Sequence, residues 1–257
     1  MTVYLDQFSQ LYVVSDLHLQ DSDVESTDKF LHLLEILPTR PAALILLGDV
    51  FQLWSSYSTN LSESQLSVVN ALAEYRNRGG VVVLLAGNKD LLFKKKELGA
   101  ALNGTNEDIF DVVSPDYVVM ALNDEYRIVF YHGDSIDQKN YAHRLMKRLL
   151  RLRLIHLICR IFPNKTLSWM TNFNREQLGK FKKKSYYFPK DQWIKWLDMA
   201  LLKYQAKLGV VGHFHPQELI ETQAGKNGSG LVLPSWFGSH SYLYVDKLAY
   251  KVVKCPK

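Results

Sequence analysis

Five short apolar runs, spread from Leu11 to Phe214, each end in an aspartate, an asparagine or a histidine. This repetition constrains the fold more than any other feature of the chain. Leu11–Ser15, Ala42–Leu47 and Val81–Ala86 are apolar almost throughout, as suits strands buried on both faces. Between them, Thr27–Leu37 sets Phe30, Leu31, Leu33, Leu34 and Leu37 at helical spacing. Ser62–Arg78 does likewise and stops at Gly79-Gly80. The alternation predicts β-α-β-α-β, with parallel strands and helices on the faces. Farther on, Tyr117–Leu122 and Tyr126–Tyr131 flank Asn-Asp-Glu as a hairpin. Gly209–Phe214, Glu218–Thr222, Gly230–Trp236 and Ser241–Val245 read as further strands. The expected fold class is α/β, an α+β sandwich of two mixed β-sheets flanked by helices.

The run ends carry the chemistry. Asp16-Leu17-His18 follows the first run, and Asp-x-His puts two ligands on one side of an extended chain. Taken alone, an Asp or His after a strand is more often a loop cap. Here the pattern recurs as Gly48-Asp49, Gly87-Asn88-Lys89-Asp90, His132-Gly133-Asp134 and Gly212-His213-Phe214-His215. Glycine stands beside the polar residue in four of the five, where a backbone must approach a ligand closely. Strand ends in open α/β sheets project side chains into the crevice where ligands bind. Unrelated turns would have to select metal-ligand residues five times to give this series by chance. Imidazole, carboxylate and amide oxygen together suit ions such as manganese, iron or zinc rather than a thiolate site. Asp90, beside Lys89, is placed to fix neighbouring groups around such an ion.

The series Asp-x-His, Gly-Asp, Gly-Asn, His-Gly-Asp and Gly-His-x-His, from residue 16 to residue 215, resembles the calcineurin-like metallophosphoesterase superfamily. The resemblance implies two sandwiched mixed sheets with metals at one edge, and hydrolysis of phosphoesters. It implies that Asp16, His18 and His215 hold one metal, that Asn88, His132 and His213 hold the other, and that Asp49 bridges them. The implied cofactor is a pair of divalent ions, manganese first, with iron or zinc as alternatives. Two cations about 3.5–4 Å apart need a shared anion to offset their repulsion, and together they clamp the phosphoryl oxygens.

Most members of the superfamily have histidine where this chain has Lys89. A protonated lysine is a poor metal ligand but binds phosphate well as a point charge. Gly87-Asn88-Lys89-Asp90-Leu91-Leu92-Phe93 and Gly48-Asp49-Val50-Phe51-Gln52-Leu53-Trp54 resemble the UDP-2,3-diacylglucosamine pyrophosphatase branch. So do His132-Gly133-Asp134 followed by Tyr141, and Leu233-Pro234-Ser235-Trp236. Gln52 stands where that branch has an acid, Lys89 where it has arginine, and Phe214 and Pro216 depart from its Gly-His-Thr-His-Arg-Pro. The resemblance implies cleavage of UDP-2,3-diacylglucosamine to UMP and 2,3-diacylglucosamine 1-phosphate in lipid A biosynthesis. Asp49, Asn88, Lys89 and His213 are then the expected catalytic residues. The expected substrate contacts are Lys89, Tyr141, Lys182 and His213.

A net charge of +5 conceals a local block. Lys139–Lys195 carries fifteen lysines and arginines against two acids, Glu176 and Asp191, a net +13; the rest has sixteen bases against twenty-four acids, or −8. A basic block in an acidic protein points to a local anionic partner, with a solvated helical face as the alternative. The block interrupts the β-rich half, so residues 1–257 are expected to form one domain with a helical cap inserted at 139–191. In Arg144–Phe162, Leu145, Leu149, Leu152 and Ile155 form an apolar line opposite Arg144, Lys147, Arg148 and Arg151. That pattern fits a helix at an anionic membrane surface, or equally a core helix of the cap. Phe181-Lys182-Lys183-Lys184-Ser185-Tyr186-Tyr187-Phe188 mixes cations and aromatics. It suits a pyrophosphate and a uracil, or a single-stranded nucleic acid, so a nuclease or soluble-nucleotide phosphodiesterase is the alternative function.

His32 and His156 fall in apolar helical patterns and read as packing residues, while His143 and His240 are left unassigned. The start of the chain, MTVYLDQFSQ, shows no secretion signal, and Cys159 and Cys255 form no close pair. No apolar run approaches the roughly 20 residues needed to span a bilayer. The expected location is cytoplasmic, peripheral on the inner face of the cytoplasmic membrane, with a nucleotide-linked lipid as the substrate.

Overall fold

A computed structural model describes residues 2–5, 8–52, 54–55, 61–91, 109–123, 125–137, 161, 188–224, 228–247 and 249–256. After β1 (Thr2–Leu5), the chain runs through β2 (Gln10–Val14), α1 (Val24–Ile36), β3 (Ala42–Leu46) and the short β4 (Trp54–Ser55). It continues through α2 (Glu63–Asn77), β5 (Val82–Leu85), the short β6 (Asp90–Leu91) and β7 (Val112–Ser114). Strands β2, β3, β5 and β7 pair in parallel, as the alternation requires.

The helix ends follow local chemistry. The Asp23 side chain accepts the Ser26 N–H at 3.2 Å and caps α1. The chain leaves the helix at Leu37, whose extended backbone fits a residue before proline. Ser62 and Gln65 form a reciprocal capping box on α2. Gly79 follows that helix in a left-handed conformation, φ +95°.

The second sheet begins with β1 and the hairpin of β8 (Tyr117–Ala121) and β9 (Arg127–Tyr131). The Asn123 side chain shapes the turn by accepting the Glu125 and Tyr126 N–H groups at 2.9 and 2.7 Å. Next come α3 (Lys190–Tyr204), β10 (Leu208–Val211), β11 (Ile220–Ala224) and β12 (Gly228–Val232). The short α4 (Trp236–Ser239) leads into β13 (Ser241–Asp246) and β14 (Tyr250–Lys254), which close the first sheet. The two sheets run β14-β13-β2-β3-β5-β7 and β1-β8-β9-β10-β12-β11, with a small β4-β6 pair beside them. Both large sheets are mixed and flanked by helices, as expected from the sequence.

Strand β3 shows why its sequence is uninterrupted by polar residues. Leu44 and Leu46 face the core beneath α1 and α2, while Ala43 and Ile45 face the core between the sheets. Val13 and Leu11 from one sheet meet Val118, Ile128, Phe130 and Val210 from the other in that central core. A third core lies under α3, whose buried Trp193, Trp196, Leu197, Ala200, Leu201 and Tyr204 recur at helical spacing.

Two expected strands are shorter than the apolar pattern suggests. The run Gly230–Trp236 stops at Val232, since Pro234 has no N–H to offer a ladder and Trp236 opens α4. The run Gly209–Phe214 stops at Val211, where His213 turns left-handed. The expected cap lies outside the described residues up to residue 187, apart from Ile161. Its last two positions, Lys190 and Asp191, open α3.

Helix α3 sits flush on its sheet because β12 presents a glycine beneath it. A Cβ at Gly230 would lie 2.5 Å from Leu197 Cδ2 and 2.6 Å from Trp193 Cζ2. Gly230→Ala should therefore cost about 1–3 kcal/mol through overpacking, read as a lower urea midpoint with an unchanged slope. A change within about 0.5 kcal/mol would show that the helix can lift without loss.

Candidate metal centre

The five polar run ends meet at one edge of the sandwich. β2, β3 and β5, adjacent in one sheet, lead into Asp16 and His18, into Asp49 and into Asn88. β9 and β10, adjacent in the other sheet, lead into His132 and into His213 and His215. Five of these seven residues have left-handed backbones: Asp16 (φ 49°), His18 (48°), Asp49 (53°), His213 (67°) and His215 (45°). Such conformations are costly for residues other than glycine and collect at functional sites. They also correct one expectation: Asp16 and His18 converge by curling rather than along an extended chain.

Two groups of donor atoms result. In the first, His215 Nε2 lies 2.9 Å from Asp16 Oδ1 and 3.2 Å from His18 Nε2. His18 Nε2 is 3.9 Å from Asp16 Oδ1 and 3.8 Å from Asp49 Oδ2. In the second, His132 Nε2 lies 3.1 Å from Asn88 Oδ1, 3.3 Å from His213 Nδ1 and 3.8 Å from Asp49 Oδ1. Asp49 thus turns one oxygen to each group. Asp16, Asp49 and His132 also bring donor atoms within 4.8 Å of one another, so the groups adjoin.

These residues fit divalent ions. Ligands about 2.0–2.2 Å from a common ion stand roughly 3–3.6 Å apart at octahedral or tetrahedral angles. The closest contacts fall in that range. The tautomer of His132 is set by its Nδ1, which donates to the Leu47 carbonyl at 2.6 Å. Its Nε2 lone pair then points at the lone pairs of Asn88 Oδ1 and of Asp49, a repulsive arrangement that a cation relieves. The site thus has two candidate metal-binding clusters, which support a dinuclear metal cofactor.

The electrostatics agree. Burial works against the Asp16 carboxylate, but His215, His132 and His18 outweigh it and hold Asp16 well below the usual range. Burial also lowers His18, against Asp49 and Asp16. Burial, then the neighbouring His132, push His213 down to about 4. His132 and His215 go the other way: burial opposes their charge, yet Asp49 outweighs it at His132 and Asp16 at His215. Each group therefore holds one imidazole whose pKa is lowered and one whose pKa is raised, and binding an ion requires the ligating nitrogen to be free of its proton.

Lys89 is 8% exposed; burial lowers its pKa while Asp49 opposes the fall, and its charge in turn lowers His18. Burial, followed by Asp49, pushes Asp90 up to about 7 against the N–H groups it accepts. Phe214 presents its ring to His213 at a centroid distance of 5.3 Å and to Phe188 at 5.2 Å.

One contributor carries no signal in the sequence. Ser15 Oγ donates to Asp16 Oδ2, which also accepts the His213 N–H at 2.7 Å. Gly48, at φ +85°, packs so closely that an added Cβ would lie 2.6 Å from Gly87 N and 2.7 Å from His132 Nδ1. His32 corrects the packing reading: it lies on the solvent side of α1, 3.5 Å from Glu35, and its side chain is 42% exposed. His240 bonds Ser26 Oγ at 2.9 Å and Lys29 Nζ at 3.1 Å, away from the donor groups. Tyr141, Lys182, His143 and His156 lie outside the described residues.

No protein-family model matches the chain. The UDP-2,3-diacylglucosamine hydrolase of Pseudomonas savastanoi pv. phaseolicola is 27% identical over 250 residues, covering 94% of this chain and 94% of its own. That of Ectopseudomonas mendocina is 27% identical over 244 residues, covering 92% and 94%. Among solved structures, the cold-active protein-tyrosine phosphatase of a psychrophilic Shewanella aligns with 99% of this chain and 83% of its own. Its identity is 14% and its TM-score 0.48, a distance that leaves the chemistry to this chain's own residues. The two mixed sheets and the paired clusters match the architecture and site that the calcineurin-like resemblance implied, and the chemistry those clusters support is metal-dependent phosphoester hydrolysis.

Proposed function

We propose that the chain hydrolyses the pyrophosphate of UDP-2,3-diacylglucosamine, giving UMP and 2,3-diacylglucosamine 1-phosphate, a step of lipid A biosynthesis. The observation that carries the reaction is the pair of clusters sharing Asp49. The substrate rests on similarity, over 94% of the chain, to proteins described as UDP-2,3-diacylglucosamine hydrolases. We assign Asp16, His18 and His215 to one ion, Asn88, His132 and His213 to the other, and Asp49 to both. Manganese suits this oxygen and imidazole set, as do iron and zinc. Such a pair of ions polarises phosphoryl oxygens and yields a nucleophile from water near neutral pH.

The chain's own residues prepare that chemistry. The Leu47 carbonyl keeps His132 in one tautomer, and Lys89 N–H orients Asp49 by donating to Oδ1 at 2.7 Å. The Lys89 ammonium, largely withdrawn from water beside Asp49, supplies a fixed positive charge for a phosphate. Lys89→Ala should cost about 1.5–3 kcal/mol, or roughly ten- to a few hundredfold in kcat/KM, with both ions retained. Loss of an ion from this variant, by elemental analysis, would give Lys89 a different role.

Tyr141 and Lys182 are assigned to the substrate, within a cap at 139–191 that encloses the acyl chains. A diacyl ligand partitions into a bilayer, so the enzyme meets it at the membrane surface, and the nucleotide places that surface on the cytoplasmic side. Among the described residues no helix is long and apolar enough to cross a membrane. The deciding experiment incubates the purified chain with manganese and UDP-2,3-diacylglucosamine and follows the products by phosphorus NMR. UMP should accumulate only when the metal is present. Cleavage of a single-stranded oligonucleotide with no release of UMP would put the nuclease reading in its place.

A further inference from the structure

We propose that Asp90 is a positioning residue that locks Asn88 against Asp49, so that its loss weakens the Asn88–His132–His213 cluster more than the Asp16–His18–His215 cluster. The inference rests on the dinuclear reading above. Asp90 is 4% exposed, and its carboxylate is taken up by three backbone N–H groups. Oδ2 accepts Asp49 N–H at 2.6 Å and Gly87 N–H at 2.9 Å, and Oδ1 accepts Val50 N–H at 3.3 Å. Asp49 and Val50 belong to the turn after β3, and Gly87 to the turn after β5. One side chain therefore ties the turn carrying the shared carboxylate to the turn carrying Asn88.

The tie is reciprocal. Lys89 N–H donates to Asp49 Oδ1 at 2.7 Å while Asp90 receives the Asp49 N–H, so the two turns clasp each other through both side chains. The pairing of Trp54 with Asp90 in the β4-β6 ladder continues the clasp outward. A carboxylate is the group that serves here, because all three partners are donors and none offers a lone pair.

The asymmetry follows from which atoms depend on Asp90. The first cluster has a support that does not pass through the Asp49 turn: Asp16 Oδ2 accepts Ser15 Oγ and, at 2.7 Å, His213 N–H. Asn88 has a different dependence: it sits inside the 87–90 turn that Asp90 closes, and its Oδ1 must meet His132 Nε2 at 3.1 Å. Partners that orient metal ligands are typically worth about ten- to a hundredfold in metal affinity.

The test titrates manganese into metal-free wild type, Asp90→Ala and Asp90→Asn by calorimetry, with elemental analysis and thermal melting of the same samples. Wild type should bind two ions. Asp90→Ala should keep the stronger and bind the other about ten- to a hundredfold more weakly, with kcat falling and KM nearly unchanged. Asp90→Asn should recover part of that loss, because its amide oxygen keeps the Asp49 and Gly87 bonds while its NH2 faces a donor at Val50. Should Asp90→Ala fail to fold, Asp90→Asn alone is expected to lose affinity for the weaker ion selectively. Two ions bound with wild-type affinity in a folded variant would overturn the proposal alone, as would equal weakening of both. Fewer than two ions in wild type would overturn the dinuclear reading and the proposal with it.

Discussion

Asp49→Ala is expected to reduce metal-dependent turnover by more than about a thousandfold, some 4 kcal/mol of transition-state stabilisation, while leaving a folded protein. Asp49 Oδ2 stands 3.8 Å from His18 Nε2 and Oδ1 stands 3.8 Å from His132 Nε2, so both clusters lose an oxygen in one substitution. More important is the charge, because two neighbouring cations repel unless an anion lies between them. The structural cost is smaller. Lys89 N–H loses its acceptor, about 1–3 kcal/mol, and removing a carboxylate beside Asp16 and Asp90 relieves part of that. A domain stable by about 5–15 kcal/mol tolerates such a loss. Asp49→Asn keeps the acceptor for Lys89 but discards the charge, so it separates the two effects. Wild-type kcat in either variant, with manganese added and the melting curve intact, would sink the shared-carboxylate reading.

The second large effect concerns the acyl chains. Each buried methylene contributes about 0.8 kcal/mol, so enclosing only about five of them favours the diacylated substrate by roughly a thousandfold in kcat/KM. UDP-2,3-diacylglucosamine should therefore far exceed UDP-glucosamine as a substrate, although both present the same pyrophosphate to the same metals. Moderate salt should change this ratio little, since methylene burial carries no counterion term. An enzyme that holds a nucleic-acid backbone would instead lose affinity steeply between low and moderate salt. The comparison of the acylated and bare sugar nucleotides at two salt concentrations gives both answers. Equal rates on the two would remove the lipid substrate while leaving the metal chemistry in place.

What could be read in advance follows a physical rule. Strands β3 and β5 are buried on both faces, and β2 is buried but for Gln10 and Tyr12, so their sequences are largely apolar runs, and the polar ligand residue after each run is conspicuous. Asp16, Asp49, Asn88, His132 and His213 announced themselves that way. Strand β14 escaped notice because its Tyr250–Lys254 edge is mostly exposed and mixes lysine with valine, which blurs the period. Helix α3 was obscured because its solvent side carries Lys190, Lys195 and Lys203, which continue the basic block by composition. Only its buried tryptophans show that it belongs to the core. The supports of the metal centre were less legible still. A backbone carbonyl such as that of Leu47 has no residue type to betray it, and Ser15 acts through a turn that the apolar pattern does not reveal.

Each donor group draws on both sheets: His215 completes the group of Asp16 and His18, and His132 and His213 complete the group of Asn88. The centre is thus assembled across a seam whose alignment is set far from it, by Leu11, Val13, Ile45, Phe130 and Val210 in the central core. A slip of one residue between the sheets would move donors by about 3.3 Å, more than the whole radius of a coordination shell. Shape errors in that core need not unfold the protein to silence it; a shift of a fraction of an ångström is enough to detune both ions together. Methyl groups with no chemistry of their own, buried between the sheets, are in this sense the calibration of the reaction.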